Sequence, residues 1–262
     1  MRILSWDDFL SSFKAEKPMA ATIGVFDGLH RGHLSLIEAL LAHGQGRTKA
    51  VFTFSRSPKL VLRPDSWQGG LSTLGQKVQG FEALGLDLLV LIDFSGNFSK
   101  LAGREFLSLL KERGSLEYLA VGSTFSCGHG LDTKAGDIPP YFSGKGVVAE
   151  VIEPLLKDGE PISSSRIRKA LLEGRLDEAA DMLGRPYEID LSSLEGLSVG
   201  SGLAIGLPRG LVLPPAGIYE VEAIGKDRRA QVRLGVTDQG LEFPPGLGFK
   251  VEKVAFVKLT QE

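Results

Sequence analysis

Over the first 184 residues, short apolar segments alternate with segments of helical period, and this alternation restricts the fold more than any other feature. The run at 20–26 is typical of a buried strand, and the apolar residues after it recur at helical spacing over 31–43. The same pattern then repeats along the chain. It predicts strands at 50–54, 87–92, 118–121 and 147–152, and helices at 73–84, 103–113, 163–173 and 176–183.

Strands that alternate with helices are expected to pair in parallel, because parallel strands need long crossover connections. Strands that are apolar almost throughout also suit a sheet that is covered on both faces. Residues 1–186 are therefore predicted to form an α/β domain built on a doubly wound, Rossmann-like parallel sheet.

The pattern changes after Gly184-Arg185-Pro186. Short alternating runs at 217–224, 229–234 and 251–259 are separated by glycines and prolines, which predicts a small antiparallel barrel or sandwich. We place a linker at 186–196 and assign residues 187–262 to a small β-barrel-like domain.

Charge and composition exclude several classes of function. The 262 residues carry a formal net charge of -2, so no overall basic field favours nucleic acid, and we expect no nucleic-acid partner. Asp7 and Asp8 interrupt the segment where a secretory leader needs an apolar core, and the longest apolar runs are too short to span a bilayer. The single cysteine, Cys127, fits a reducing compartment. We expect a cytoplasmic protein without membrane contact, and the sequence indicates no oligomeric state.

The strongest chemical motif is the segment GVFDGLHRGH at 24–33, which ends the first predicted strand and opens the first helix. Ligands of open α/β sheets bind beyond the carboxyl ends of strands, and a helix N-terminus attracts phosphate. His30 and His33 are three residues apart and share a helix face, where imidazoles can donate hydrogen bonds to phosphate oxygens. The glycines of the segment allow tight turns and a close approach of the backbone to a nucleotide.

Two other interpretations of this motif are weaker. A helix start that carries two histidines by chance is disfavoured, because both lie among three glycines directly after the first strand. A zinc site needs a third ligand, and nothing nearby has the usual metal spacing, so we assign no metal ligand in the protein.

A second motif, ISSSRIR at 162–168, opens a later predicted helix. Its hydroxyls supply a helix cap, and Arg166 and Arg168 supply guanidinium groups suited to phosphate. Taken alone, a plain serine cap followed by a solvated basic turn explains the segment equally well. The first motif favours the phosphate-binding interpretation, since the two motifs together would supply two groups of ligands for the phosphates of one nucleotide.

Both motifs together resemble the signatures of bacterial FAD synthetases and, more widely, of the H-x-G-H nucleotidyltransferases. Intermediate stretches are similar too, including the segment at 51–54 with Pro58 and the segment at 71–73 with Lys77. The resemblance covers about residues 20–187. It implies transfer of AMP from ATP to FMN, which yields FAD and pyrophosphate, with Mg²⁺ accompanying ATP.

The resemblance also implies roles for individual residues. His30, His33 and Arg168 would be catalytic. ATP would be bound by Gly24, Val25, Phe26, Asp27, Gly32, Gly122, Ser163, Ser164, Ser165 and Arg166, and the flavin by Phe54, Ser57, Pro58 and Phe125.

The chain departs from the family pattern near the expected acceptor. Ser57 stands before Pro58 where the family often has a histidine. Around the Gly-x-x-Phe segment, where the family often has an acidic residue and an arginine, this chain has Ser123, Thr124, Ser126 and Cys127. Transfer to a different phosphate-bearing acceptor is therefore an alternative function. A second alternative is a catalytically silent protein that binds nucleotide or flavin. A purely structural role is the third alternative.

The C-terminal region is similar to a riboflavin kinase barrel only in part. In that family a Pro-Thr-x-Asn signature helps to hold metal and phosphates. Here Gly206-Leu207-Pro208 is followed by Arg209-Gly210, and the only asparagine of the chain is Asn97. We expect a shortened barrel without kinase activity, or a small β domain that was never a kinase.

Overall fold

The computed structural model describes residues 1–94, 98–192, 204–205, 210–238 and 240–260. They form two compact units. The first comprises Met1–Trp67 and Lys77–Pro161, and the second comprises Gln68–Gln76 and Ile162–Glu262.

The first unit alternates strands and helices as the sequence predicts. Its elements are β1 (Arg2–Ser5), α1 (Trp6–Ser11), β2 (Met19–Ile23), α2 (Arg31–Ala42), β3 (Thr48–Phe54), α3 (Pro58–Leu62), α4 (Leu74–Ala83, whose first three residues belong to the second unit), β4 (Leu88–Ile92), α5 (Gly103–Gly114), β5 (Leu116–Gly122), β6 (Ser126–Cys127), β7 (Thr133–Lys134), α6 (Ile138–Phe142), β8 (Val148–Ile152), β9 (Leu156–Lys157) and β10 (Glu160–Pro161).

Six of these strands form one parallel sheet in the order β1-β4-β3-β2-β5-β8. From β2, the chain adds β3 and then β4 on one side of that strand. It then returns to add β5 and β8 on the other side of β2. The chain therefore reverses its direction of sheet growth between β2 and β5, which confirms the doubly wound α/β prediction.

Side chains of the strands alternate between two apolar layers, because successive residues of a strand point to opposite faces. Phe52 packs with residues of α1, α5 and α6 on one face, including Phe9 and Phe106. Val51 packs with α2 and α4 on the other face, including Leu40 and Phe81. Burial of each large apolar side chain contributes about 1.5–3 kcal/mol, so these layers hold the helices on the sheet.

Three local differences from the sequence prediction have physical reasons. The strand predicted at 20–26 ends at Ile23, because the chain turns away from the sheet in the loop that follows. The edge strand β1 was missed, since its residues are mostly exposed and form no apolar run. Helix α1 was missed because it has only six residues, although Ser5 caps it by accepting a hydrogen bond from the Asp8 N–H at 3.0 Å.

The described residues of the second unit contain two helices and an antiparallel sheet. Its elements are α7 (Ser164–Leu172), α8 (Leu176–Leu183), β11 (Tyr187–Asp190), β12 (Ala204–Ile205), β13 (Gly217–Ile224), β14 (Arg229–Thr237), β15 (Gly240–Glu242) and β16 (Lys253–Leu259). The six strands pair in the order β11-β16-β13-β14-β15-β12, every pair antiparallel. This curled sheet confirms the predicted small barrel-like region.

One part of the linker prediction at 186–196 is wrong. Residues 187–190 form β11, because Tyr187 and Ile189 are buried and the strand pairs with β16. The Tyr187 hydroxyl donates to the Val212 carbonyl at 2.8 Å, which fixes the strand further. Residues 193–196 and the segment 206–209, compared above with the kinase signature, lie outside the described residues. The boundary between activities at residue 186 stays a prediction, although α7 and α8 group with the C-terminal sheet by packing.

Candidate active site

The first motif lies at the carboxyl edge of the parallel sheet, at the point where strand order reverses. Thr22 of β2 pairs with Ala120 of β5, so Gly24 and Gly122 each follow two residues later on neighbouring strands. Crevices at such reversal points are where open α/β sheets bind ligands. The fold therefore brings two predicted nucleotide-binding glycines to the position that favours a ligand.

The loop between β2 and α2 has an unusual backbone. Phe26 and Leu29 have φ values of +50° and +40°, and Gly28 between them has a φ of +86°. Side chains at positive φ are strained, and such strain persists only where surrounding contacts enforce it. Gly24 is also constrained, because a Cβ there would lie 3.0 Å from the Phe26 ring. The loop is thus a tightly determined structure, of the kind found at binding sites.

His30 and His33 stand side by side at the start of α2. Their rings are stacked with centroids 3.5 Å apart and planes 18° from parallel, and His33 also meets the edge of Phe26 at 5.1 Å. His30 is the N-cap of the helix and is buried. Gly32 lies in the first helical turn between them. The two predicted catalytic histidines are therefore held together at a helix N-terminus, where the dipole favours anions.

The protonation of His33 follows from its surroundings. Burial, the neighbouring His30 and the ammonium of Lys77 all hold the pKa of His33 well below its ordinary value of 6.5. The ring is consequently neutral at pH 7 and offers one N–H donor and one acceptor nitrogen. Its Nδ1 is buried and has no hydrogen-bond partner among the residues that the structure describes.

Lys77 is a buried cation beneath this loop, and the sequence interpretation gave it no role in the site. Its Nζ donates to the Val25 carbonyl at 2.8 Å and to the Phe54 carbonyl at 3.4 Å. Burial lowers the pKa of Lys77 to about 8, against the opposing effect of the Asp27 carboxylate. The sequence carries a signal for its burial, though not for its bond to the loop, because Lys77 precedes Phe81 by four residues on the apolar face of α4.

The predicted flavin residues lie at or after the carboxyl ends of β3 and β5, the two neighbours of β2. Phe54 is partly buried in a ring cluster with Phe94 and Phe98, at centroid distances of 5.8 and 6.1 Å. Phe125 packs partly buried against the core. Ser57 is the N-cap of α3 but makes no capping side-chain bond, and Pro58 is the first residue of that helix. All four belong to the same edge of the sheet as the histidine pair.

Cys127, the single cysteine of the chain, lies in the short strand β6. Burial and the nearby Asp132 carboxylate raise the pKa of its thiol to about 12. The thiolate, which is the reactive form, is therefore scarce at neutral pH.

The second motif belongs to the second unit, where it opens α7. Ser163 is the N-cap and its Oγ accepts a hydrogen bond from the Arg166 N–H at 3.2 Å, while Ser164 and Ser165 follow in the first turn. Arg166 lies 3.8 Å from a carboxylate oxygen of Glu178 on α8. The role of Ser163 as a helix cap is thus established, and phosphate binding by this motif stays a prediction.

Arg168 is buried, with 6% of its surface exposed, and its Nε donates to the Gly69 carbonyl at 2.7 Å. The bond joins positions 99 residues apart, so the motif alone could not have indicated it. Arg168 therefore has a structural contact in addition to the predicted catalytic role.

The described residues contain no group of three or more histidine, cysteine, aspartate or glutamate side chains placed to hold a metal ion. Mg²⁺ is commonly bound through substrate phosphates with one or two carboxylates and water. Asp27 supplies a carboxylate in the loop beside the histidine pair, which is compatible with that mode. In the described part of the chain, no helix is both long and apolar enough to cross a membrane.

The fold and the site at its edge define the class: a doubly wound α/β domain with a histidine pair at a helix N-terminus beside the strand reversal. Residues 12–166 match the FAD synthetase family, and the chain belongs to that family. A Listeria monocytogenes protein named bifunctional riboflavin kinase/FMN adenylyltransferase is 30% identical over 210 residues, or 76% of this chain and 66% of that protein. Its namesake from Bacillus subtilis is 31% identical over 209 residues, again 66% of its length.

The chain thus spans about two thirds of the length of the curated relatives it matches. Among solved structures, one titled macrolide-efflux protein from Streptococcus pneumoniae has a TM-score of 0.84 and 21% identity. The match covers 100% of this chain and 91% of that one. At this identity the likeness shows a shared fold alone.

Proposed function

We propose that the protein is an FMN adenylyltransferase that acts in the cytoplasm. An FMN phosphate oxygen attacks the α-phosphorus of ATP, the bond from that phosphorus to the β-phosphate oxygen breaks, and FAD and pyrophosphate result. The observation that carries the proposal is the stacked pair of His30 and His33 at the N-terminus of α2, directly beyond the reversal strand. Membership of the FAD synthetase family supports the choice of acceptor.

The reaction depends mainly on the positioning of the two substrates and on the stabilisation of charge on the phosphates. The FMN phosphate is ionised at neutral pH, so the reaction needs no strong general base. Neutral His33 would donate its N–H to a phosphate oxygen as charge develops there, which is the most effective use of a preorganised donor. His30 would act beside it, and Arg168 would supply the third catalytic group.

The backbone of Gly24, Val25, Phe26 and Asp27, with Gly32 and Gly122, would form the nucleotide cradle, and Ser163, Ser164, Ser165 and Arg166 would bind ATP phosphates. Phe54, Ser57, Pro58 and Phe125 would contact the flavin. Mg²⁺ would neutralise charge on the triphosphate, held chiefly by the phosphate oxygens themselves.

Riboflavin kinase activity is proposed to be absent. Residues 187–262 contain no asparagine, so the Pro-Thr-x-Asn signature that holds metal and phosphates has no counterpart there. The curved sheet of the second unit would then serve stability rather than catalysis.

Product analysis of the purified full chain tests both parts. The protein is incubated with MgATP and either FMN or riboflavin, and flavins are separated by chromatography. FAD from FMN and no FMN from riboflavin is the expected result. Formation of FMN from riboflavin would refute the absence of kinase activity.

The same assay separates the remaining functions. Pyrophosphate release with a non-flavin phosphate ester, and not with FMN, would favour the different acceptor that Ser57, Ser123 and Thr124 suggest. Tight binding of ATP and FMN without turnover under several divalent metals would indicate a silent binding protein. Both results would refute the proposed reaction.

A further inference from the structure

One face of α4 makes three separate contacts with the loop between β2 and α2. Lys77 donates to the Val25 carbonyl, and the Phe81 ring meets the Phe26 ring edge-on with centroids 5.4 Å apart. Between them, Gly80 faces Leu29 so closely that a Cβ on Gly80 would lie 2.5 Å from a Leu29 methyl group. Positions 77, 80 and 81 share one helix face, since residues three and four apart are neighbours.

Those contacts involve loop residues whose backbone conformation must be enforced by their neighbours. Phe26 and Leu29 are the two non-glycine residues of the loop with positive φ values, and this backbone is stable only if its surroundings enforce it. The Val25 carbonyl just before them accepts from Lys77 Nζ at 2.8 Å and from Thr53 Oγ1 at 3.1 Å. The loop conformation is therefore enforced by α4 on one side and by β3 on the other.

We propose that the face of α4 formed by Lys77, Gly80 and Phe81 positions the nucleotide loop, and that Lys77 is the principal positioning residue for the histidine pair. The role rests on the proposed adenylyl transfer. Lys77 acts through the Val25 carbonyl rather than on substrate, and its ammonium is balanced by the nearby Asp27. Gly80 leaves room for Leu29, because a Cβ there would push the Leu29 methyl group aside.

The charge of Lys77 supports this arrangement. Its ammonium is one of the groups that lower the pKa of His33, together with burial and His30, so it keeps that ring neutral. Removing the ammonium should therefore change both where the loop lies and how readily His33 takes up a proton. A residue that only filled space would affect neither the loop hydrogen bond nor the titration of His33.

The test compares Lys77→Met, which keeps the stem but loses the donor and the charge, with Lys14→Met, an exposed lysine in the same unit. We expect Lys77→Met to lower kcat for FAD formation by about 10–100-fold, since a misplacement of about 1 Å can cost about 100-fold. The KM for FMN should change far less, and Lys77→Arg should recover part of the loss. The His33 pKa, followed by NMR of the imidazole protons, should rise in Lys77→Met and stay unchanged in Lys14→Met.

A second variant keeps the proposal testable if Lys77→Met does not fold. Gly80→Ala introduces a better helix former, so the helix is retained, while its methyl group pushes Leu29. We expect kcat to fall several-fold without loss of cooperative unfolding. Gly136→Ala is the matched control, because a Cβ there meets nothing within 4 Å.

The outcomes are distinct. If neither Lys77→Met nor Gly80→Ala changes kcat, the positioning role is refuted. An unmoved His33 pKa in Lys77→Met would refute it as well, because the ammonium would then not act on the histidine pair. If wild-type protein makes no FAD, the proposed reaction fails, and the His33 titration still decides whether Lys77 acts on the pair.

Discussion

Replacing His33 by Phe should abolish most adenylyl transfer while leaving the local packing in place. The phenyl ring can keep the stack on His30, whose centroid lies 3.5 Å away, and the edge contact with Phe26 at 5.1 Å. Only the imidazole nitrogens are lost. Removal of one preorganised donor to a transition state costs about 10²–10³-fold in kcat, or about 2.7–4 kcal/mol. We therefore expect kcat to fall by at least about 100-fold at saturating MgATP and FMN.

The assay is FAD formation near pH 7, quantified by chromatography. His43→Phe is the matched control, because His43 ends the same helix and stacks on Tyr118 at 3.8 Å, far along α2 from the motif. We expect the control to keep kcat within about twofold of wild type. Retention of wild-type kcat by His33→Phe would show that stacking, and not hydrogen bonding, is all that His33 supplies.

Two further predictions concern stability. Arg168→Met removes the donor to the Gly69 carbonyl and should lower the free energy of unfolding by about 1.5–3 kcal/mol, measured by urea denaturation. Arg175→Met, which loses only surface ion pairs with Glu173 and Glu178, should change it by less than about 1 kcal/mol, and equal losses would contradict the structural role of Arg168. Because the folded pKa of His33 lies below the unfolded value of 6.5, its contribution to stability is complete above pH 6.5 and is lost as pH falls below it. The melting temperature should therefore fall less between pH 7.5 and 5.5 in His33→Phe than in wild type, and parallel pH profiles would contradict this.

The local patterns of the sequence were sufficient for most elements. Helix α8 at Leu176–Leu183 and strand β13 at Gly217–Ile224 have the predicted bounds, because their apolar residues follow one period and glycine or proline marks their ends. Strand β1 and helix α1 escaped detection, since an exposed four-residue strand and a six-residue helix carry too little periodicity. The start of the linker was misjudged for a related reason, because β11 has only four residues.

For the candidate site too, local sequence patterns predicted some residues and missed others. The spacing of His30 and His33 after a buried strand indicated a phosphate-type site, and the parallel sheet order then brought Gly122 to the neighbouring strand end. Lys77 received no role, because its bond to Val25 joins positions 52 residues apart. No local pattern encodes a hydrogen bond between a helix side chain and a loop carbonyl in another part of the chain.

The sequence by itself determined the family, the alternation of strands and helices, and the position of the histidine pair, because periodicity, caps and motifs are properties of neighbouring residues. Tertiary structure alone decided the strand order, the strained backbone at Phe26 and Leu29, and the neutral state of His33. These features depend on which distant groups meet in space. Burial and the Lys77 ammonium of α4 lower the pKa of His33 only after the fold has brought these groups together.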